Sequence, residues 1–541
     1  MTAATGLYEV TKPTYLRNRI SQVQSFAQKL QSVGLSVLSP PGGHAVYLDM
    51  EDFFFGCGRK PDDFAAIGFT IELIKDYGIR AAESGPFAWM WDKKSPEERK
   101  KIPNLVRFAV PRHVMSEEHI DYAVAAVKEL YGKRHVIPNV EITRGKDMRL
   151  RHFSSGLKPV PVHHTITGSY TDEASRQLSL LSQAVGISSI EEDQLLEAFR
   201  LAAGKYGNDP VQKERSPSNW ISNVSNDTAF FEYSVQIDQE TGDAVLRFLI
   251  EAQAEKIRSI TRPLYHGQAK DMMLENLGKS SMELSTHLAE RYPGAVSLGR
   301  LKTIEDLFIP FRAEGKFAAY HSCVSTKNGP EWKIYLNPRA KGAGLALSTT
   351  REAFERLGLA ESWKLVSSIL SEDDAAVYFS LDLSPDIEHS RIKLYVAHPS
   401  ATASEIAQKH AKICPGACTY AIQQFCASLA GDSLGPYQSK PLLSCFAFTS
   451  EAPTRPTGTV HFPVSEYAET DAVIQARMEK YMDAADVSAT HRERYRKVVA
   501  AVQRRPLDRG RGIHAWISLK QNLKGERATT FYLSPEIFGP L

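Results

Sequence analysis

The segment Arg391-Ile392-Lys393-Leu394-Tyr395 sets two cations and a phenol at alternate positions. A strand sends successive side chains to opposite faces. Arg391, Lys393 and Tyr395 then share one face, and Ile392, Leu394 and Val396 share the other. The pattern recurs in Trp332-Lys333-Ile334-Tyr335-Leu336, where Lys333 and Tyr335 alternate with three apolar residues. In Leu246-Arg247-Phe248-Leu249-Ile250-Glu251, Arg247 and Glu251 lie opposite Leu246, Phe248 and Ile250. One such strand is an ordinary half-solvated face. Several with matched cations predict a shared, charged interior.

The bulk properties bound what that interior serves. A chain of 541 residues has room for more than one domain and a substantial core. With 65 basic against 63 acidic residues, neither nucleic acid nor an anionic membrane is the expected main partner. No apolar run approaches the length of a membrane span, and the opening Met1-Thr2-Ala3-Ala4-Thr5-Gly6 does not read as a secretory signal. Six cysteines are too sparse for a disulfide framework, so a reduced, cytoplasmic protein is expected.

Over the first 160 residues helical and strand patterns alternate. Helices are expected near 14–33, 61–77 and 116–131, with a turn into a strand over Pro40–Asp49 and a strand at Val106–Val110, which suggests a small α/β unit. The stretches Gly42-Gly43-His44-Ala45-Val46-Tyr47-Leu48-Asp49, Gly78-Ile79-Arg80, Asn104-Leu105-Val106-Arg107-Phe108-Ala109-Val110-Pro111-Arg112 and Leu150-Arg151-His152-Phe153 resemble the C-terminal domain of the tryptophanase and tyrosine phenol-lyase family. The resemblance implies a carboxylate-gripping role for Arg107. The family's pyridoxal-phosphate lysine belongs to its large domain, upstream of the matched region, so no aldimine site and no bound pyridoxal phosphate are expected in residues 1–160. A surface or interdomain arginine is the plainer expectation for Arg107.

Pro159, Pro161 and the polar run from His163 suggest a linker over 161–172. From 173 to 541 five hairpin patterns follow, at Phe230–Ile250, Ala318–Leu336, Ala376–Ala397, Leu442–Val464 and Gly512–Leu533. Helices are expected between them near 176–204, 266–291, 350–370, 403–430 and 467–503. Five consecutive hairpins can close a sheet without a free edge. Apolar backs facing an outer ring of helices would leave the charged faces lining a wet, cationic lumen. The expected fold is α+β, a ten-stranded antiparallel barrel inside helices. Phe231-Glu232-Tyr233-Ser234, Leu246-Arg247-Phe248, Lys333-Ile334-Tyr335, Arg391-Ile392-Lys393-Leu394-Tyr395, Pro441-Leu442-Leu443-Ser444-Cys445-Phe446 and Phe531-Tyr532-Leu533-Ser534-Pro535-Glu536 fall in one order. That ordered set resembles aromatic prenyltransferases of the dimethylallyltryptophan synthase type, whose barrel is built of αββα units.

The resemblance implies metal-independent transfer of a dimethylallyl group from dimethylallyl diphosphate to an indole ring carbon of L-tryptophan or a related indole. Arg247, Lys333, Arg391 and Lys393 would neutralise the leaving diphosphate, as a metal ion does elsewhere. Tyr335, Tyr395 and Tyr532 would shield the allylic cation with their ring faces. Glu232 shares a face with Ser234 and Gln236, and the family's glutamate accepts the indole N–H. In a cationic lumen it is expected to stay ionised at neutral pH. Tyr320 or His321 is a candidate for the later proton acceptor. At Thr459-Val460-His461 relatives often show a Gln-x-Tyr pair near the diphosphate; His461 departs from that pattern and is a candidate site residue at the same place.

Two metal readings are weaker. His410, Cys414 and Cys418 have helical spacing, but Pro415 and Gly416 interrupt it. Asp373-Asp374 lacks the third aspartate of the magnesium-binding motif of terpene enzymes. No metal site is assigned. Two competing functions remain: an accessory subunit of a pyridoxal-phosphate β-eliminating lyase, and a non-catalytic barrel that stores an anion. The expected partners are small molecules, together with a second copy of the chain or a separate lyase polypeptide over the face left by the missing large domain.

Overall fold

The structure is a computed structural model that describes residues 2–57, 59–111, 114–160, 168–211, 222–253, 267–310 and 313–539. Arg112 and residues 161–167 of the expected linker lie outside the described residues. The chain divides into two compact units, 1–165 with 503–506, and 166–502 with 507–541.

The small unit has a three-stranded sheet in the order β1-β3-β2, with β1 Ala45–Asp49, β2 Ala82–Ser84 and β3 Leu105–Ala109. Both pairings are antiparallel, Tyr47 and Ala82 flanking Arg107 on the middle strand. Strand alternation sends Val106 and Phe108 into the core and leaves Arg107 exposed. Helices Pro13–Ser32, Ala65–Tyr77 and Glu117–Gly132 supply the rest of that core through Phe26, Leu30, Phe69 and Val127. Gly78, at φ 68°, stops the second helix in a conformation only glycine adopts without strain. A hairpin of β4 Asn139–Arg144 and β5 Gly156–Val160 follows.

The large unit is a closed barrel of ten antiparallel strands. They are β6 Phe231–Asp238, β7 Ala244–Ile250, β8 Ala319–Val324, β9 Glu331–Leu336, β10 Ala375–Asp382, β11 Ile392–His398, β12 Leu442–Phe448, β13 Thr457–Phe462, β14 His514–Gln521 and β15 Arg527–Leu533. Each strand pairs with its neighbours in sequence, and β15 closes the ring on β6 with Phe531 opposite Val235. Ile392, Leu394, Val396, Phe248 and Ile334 are fully buried on the outer face. Helical aromatic rings seal them: Phe199 meets Phe231 and Phe248 at 5.2 Å each, and Phe354 meets Phe379 at 5.5 Å.

The helix ring is more divided than expected. Four of the five expected spans are helix pairs, Tyr170–Val185 with Ser189–Ala203, Ala346–Arg356 with Ala360–Ser367, Ala403–Ile413 with Thr419–Leu429, and Asp471–Ala484 with Ala489–Val502. The breaks fall at Gly186 and Gly358 in left-handed conformations, at Pro415-Gly416, and at Asp486 with φ 52°. A further helix, Gly299–Phe308, was not anticipated. The linker also ends early. Ser169 and Asp172 form a reciprocal cap on the helix that starts at Tyr170, so residues 169–172 belong to the barrel unit. Glycine matters once more at Gly458 on β13, where a Cβ would lie 2.5 Å from His410 Nδ1. Its absence lets the helix Ala403–Ile413 lie close on the barrel wall. Among the described residues no helix is long and apolar enough to cross a membrane.

Candidate functional site

All ten strands contribute to the lining of one cavity, the barrel lumen. The period of two decides which residues enter it. Arg247 on β7, Lys333 on β9, and Arg391 and Lys393 on or beside β11 all face inward, as do Tyr335, Tyr395 and Tyr532. The four expected cations and three expected tyrosines are therefore brought together.

A fifth cation joins them. Lys520 on β14 lines the lumen, and its pKa is held to about 8 by burial, with Arg391 and Arg247 adding like charge. Lys393 is pushed down to about 8 by burial and by Arg391. Burial and Lys393 also lower Lys333. Five lumen-lining cations, Lys333 buried and the other four partly exposed, can together neutralise a multiply charged anion.

One carboxylate lies among them. Asp382, at the end of β10, accepts hydrogen bonds from Arg391 Nε at 2.8 Å and from the Arg391 backbone N–H at 3.1 Å. Its other oxygen is 3.9 Å from Lys333 Nζ. Burial opposes the Asp382 charge, but Lys333 and Arg391 outweigh it and hold the carboxyl far below the usual range. Asp382 thus fixes the Arg391 fork and favours the charged form of Lys333. Asp382→Asn should weaken pyrophosphate binding about tenfold at pH 7.5, although it removes a negative charge from an anion site, and acidification should restore part of the loss as Lys333 regains its proton. Calorimetric titration checks this; tighter binding by the variant would show that Asp382 only repels.

Next to the cations runs a band of rings. Tyr395 is 5.9 Å from Tyr335, 5.8 Å from Tyr378 and 5.5 Å from His461, and His461 is 5.5 Å from Tyr532. Burial and then Lys393 push His461 down to about 3, so the imidazole is neutral, and its Nε2 is buried without a hydrogen-bond partner among the described residues. Arg247 donates to Gln236 Oε1 at 2.8 Å, which ties the cation end to β6.

Glu232, also on β6, lines the lumen and is 4% exposed. The expectation that it is ionised at neutral pH does not hold. Burial pushes it up to about 8, and the charge opposing that rise is Lys440 rather than the five-cation cluster. Desolvation outweighs attraction from charges that are not in contact.

His321 is misplaced by the sequence. Its neighbours Tyr320 and Ser322 line the lumen, so His321 points outward and pairs through Nε2 with Ser285 Oγ at 2.9 Å. It is not among the residues that line the lumen. Tyr320 faces the lumen with its ring stacked on Phe317 at 4.3 Å. Arg107 belongs to the small unit. Of the metal candidates, His410 Nε2 is 2.9 Å from Ser444 Oγ, and Asp374 pairs with His398 and Lys409. Among the described residues no group of three or more His, Cys, Asp or Glu is placed to hold a metal ion.

Sequence reasoning missed Lys520, Tyr378, Asp382 and Trp516. The alternation that found Arg391 and Lys393 was available in Trp516-Ile517-Ser518-Leu519-Lys520, where the first, third and fifth residues line the lumen. Tyr378 was harder, because a bulge between Ala376 and Tyr378 shifts the phase of β10.

Comparison with known proteins agrees with this geometry. Residues 169–411 match the family model described as tryptophan dimethylallyltransferase. The chain is similar to the 6-dimethylallyltryptophan synthase of Micromonospora olivasterospora, solved in complex with DMASPP and Trp, at 26% identity and a TM-score of 0.59 over 69% of this chain and 99% of that one. It is equally similar to the prenyltransferase PriB, solved with product diphosphate, at 26% identity and TM-score 0.59 over 69% of this chain and 98% of that one. A different part of the likeness is to the tryptophanase of Salinibacter ruber, 31% identical over 168 residues, which are 30% of this chain and 35% of that protein. The tyrosine phenol-lyase of a Symbiobacterium species is 31% identical over 157 residues, 29% of this chain and 34% of that protein. The chain spans about a third of the length of the curated relatives it matches.

Such lyases hold pyridoxal phosphate on a lysine, and a Schiff-base lysine needs a desolvated setting. Every described lysine of the small unit is at least partly exposed, and Lys29, Lys75, Lys93 and Lys133 are engaged in ion pairs. The residues present do not fit an aldimine site.

Proposed function

We propose that the barrel unit, whose residues 169–411 match the tryptophan dimethylallyltransferase model, moves a dimethylallyl group from dimethylallyl diphosphate to a ring carbon of L-tryptophan or a related indole. The observation that carries this reading is the layering of one lumen: five cations, then a band of rings, with Glu232 lining the same cavity. The layers match the order of the reaction. The C–O bond breaks with its electron pair leaving on diphosphate, whose growing charge meets Arg247, Lys333, Arg391, Lys393 and Lys520. The allylic cation left behind lies against Tyr335, Tyr395 and Tyr532, whose ring faces attract it and exclude water. Glu232, ionised, accepts the indole N–H and pushes electron density into the ring, which then supplies the pair for the new C–C bond. The ring proton leaves last, and the unprotonated imidazole of His461 is a base available to take it.

The cation cluster supports chemistry that needs no metal ion. We assign the transfer to the barrel unit, whose first helix is capped by Ser169, and not to residues 1–160. Residues 1–160 serve as a tryptophanase-like unit without a cofactor lysine, acting in assembly through a second copy or a lyase polypeptide. The six free thiols support action in the reducing cytoplasm. The test is mass spectrometry after the chain is incubated with L-tryptophan and dimethylallyl diphosphate in EDTA. A C5 adduct on the indole ring is expected. No adduct with any indole, or one that appears only when magnesium is restored, would overturn the reading.

A further inference from the structure

We infer that Lys440 binds the carboxylate of the acceptor, so that the lumen prefers a free amino acid to an indole lacking that group; this rests on the transfer function proposed above. Lys440 stands just before β12 and is held at both backbone groups by one side chain. Its N–H donates to Tyr467 Oη at 3.2 Å, and its carbonyl accepts from the same hydroxyl at 2.8 Å. Its ammonium lies 4.6 Å from the centre of the Trp516 ring, and that ring lines the lumen. The position is thus fixed at both ends of the side chain. Among the described residues no ion pair engages the ammonium.

Lys440 and Glu232 influence each other's charge without meeting. Burial lowers the Lys440 pKa, against which Glu466 and Glu232 both act, while Lys440 in turn opposes the rise at Glu232. Glu232 and Trp516 both line the lumen, and the partly exposed Lys440 ammonium lies over the Trp516 ring, so an acceptor and a cation serve one cavity. An indole amino acid has the complementary groups, a ring N–H for Glu232 and a carboxylate for Lys440. The five cations elsewhere in the lumen are committed to the diphosphate, which leaves Lys440 for the second anion. Trp516 supports it, because an ammonium over an aromatic face keeps its charge at less cost of burial.

The experiment compares L-tryptophan with tryptamine, which differ by the carboxylate alone, on the full chain. The ratio of kcat/KM for the two acceptors should fall ten- to hundredfold in Lys440→Met, mostly through KM, as expected when one charged hydrogen bond is lost. Lys440→Arg should keep most of the ratio. An unchanged ratio in Lys440→Met, or an equal fall in Lys440→Arg, would overturn the assignment. Calorimetric binding of the same two ligands to the parent and to Lys440→Met decides the anchor independently. If the parent forms no adduct with any indole, the transfer function falls, and the binding comparison still shows whether Lys440 discriminates.

Discussion

Glu232→Gln should slow turnover by about a hundredfold or more, while pyrophosphate binds the variant as it binds the parent. The amide has nearly the shape of the carboxyl but cannot carry its charge, and a preorganised group aimed at developing charge is typically worth about 10²–10³ in rate. The pH profile gives the sign. Burial pushes Glu232 up to about 8. If the ionised form is active, about one-tenth of the enzyme works at pH 7 and about nine-tenths at pH 9. At saturating donor, kcat/KM for the acceptor should therefore rise about tenfold over that range and then level. Lys393 and Lys520, each pushed down to about 8, lose their charge over the same interval, so kcat/KM for the donor should fall above pH 8. The Gln variant should lose the rising limb and keep the falling one. Full activity in that variant would remove Glu232 from the mechanism.

Arg247→Ala should lower kcat/KM for the diphosphate donor about 10²–10³-fold, or ~3–4 kcal/mol, and change acceptor binding by about threefold or less. Arg247 is locked to Gln236 Oε1 and faces the cavity in which Lys333, Arg391, Lys393 and Lys520 converge. A guanidinium keeps its charge at every pH the protein survives, whereas Lys393 and Lys520, pushed down to about 8, do not. Removing it should thus make donor binding steeper in pH as well as weaker. Steady-state kinetics with each substrate varied in turn separate the two effects. Equal losses for donor and acceptor would place Arg247 in the general architecture of the lumen instead.

The strand faces were legible because a period of two is a local property. Arg391, Lys393 and Tyr395 could be assigned to one side from five residues, and the five hairpins gave the ten-stranded closed barrel. The ionisation of Glu232 was not legible, since it depends on which cations end up near it after the ring closes. The phase of β8 was not legible either. All six residues from Ala319 to Val324 are buried, so hydropathy gave no sign that Tyr320 faces inward and His321 outward. Lys520 was legible and overlooked. The helix pairs were hidden for a different reason: short breaks at Gly186, Gly358 and Asp486 do not interrupt an apolar pattern that continues on both sides.

The barrel seam has a consequence for when the site comes into being. Nine of the ten strand pairings join neighbours in sequence, but the tenth, β6 with β15, sets Tyr233 against Leu533 across the whole length of the unit. That contact carries the largest loop-closure entropy and is expected to form late. Arg247 and Lys520 sit on strands that approach the seam from opposite sides, so an open sheet does not assemble their cluster. An anion that binds only the closed ring adds its binding free energy to the seam and to no other pairing. Occupancy by diphosphate should therefore appear in hydrogen exchange as slower opening along β6 and β15, with the early hairpins little changed.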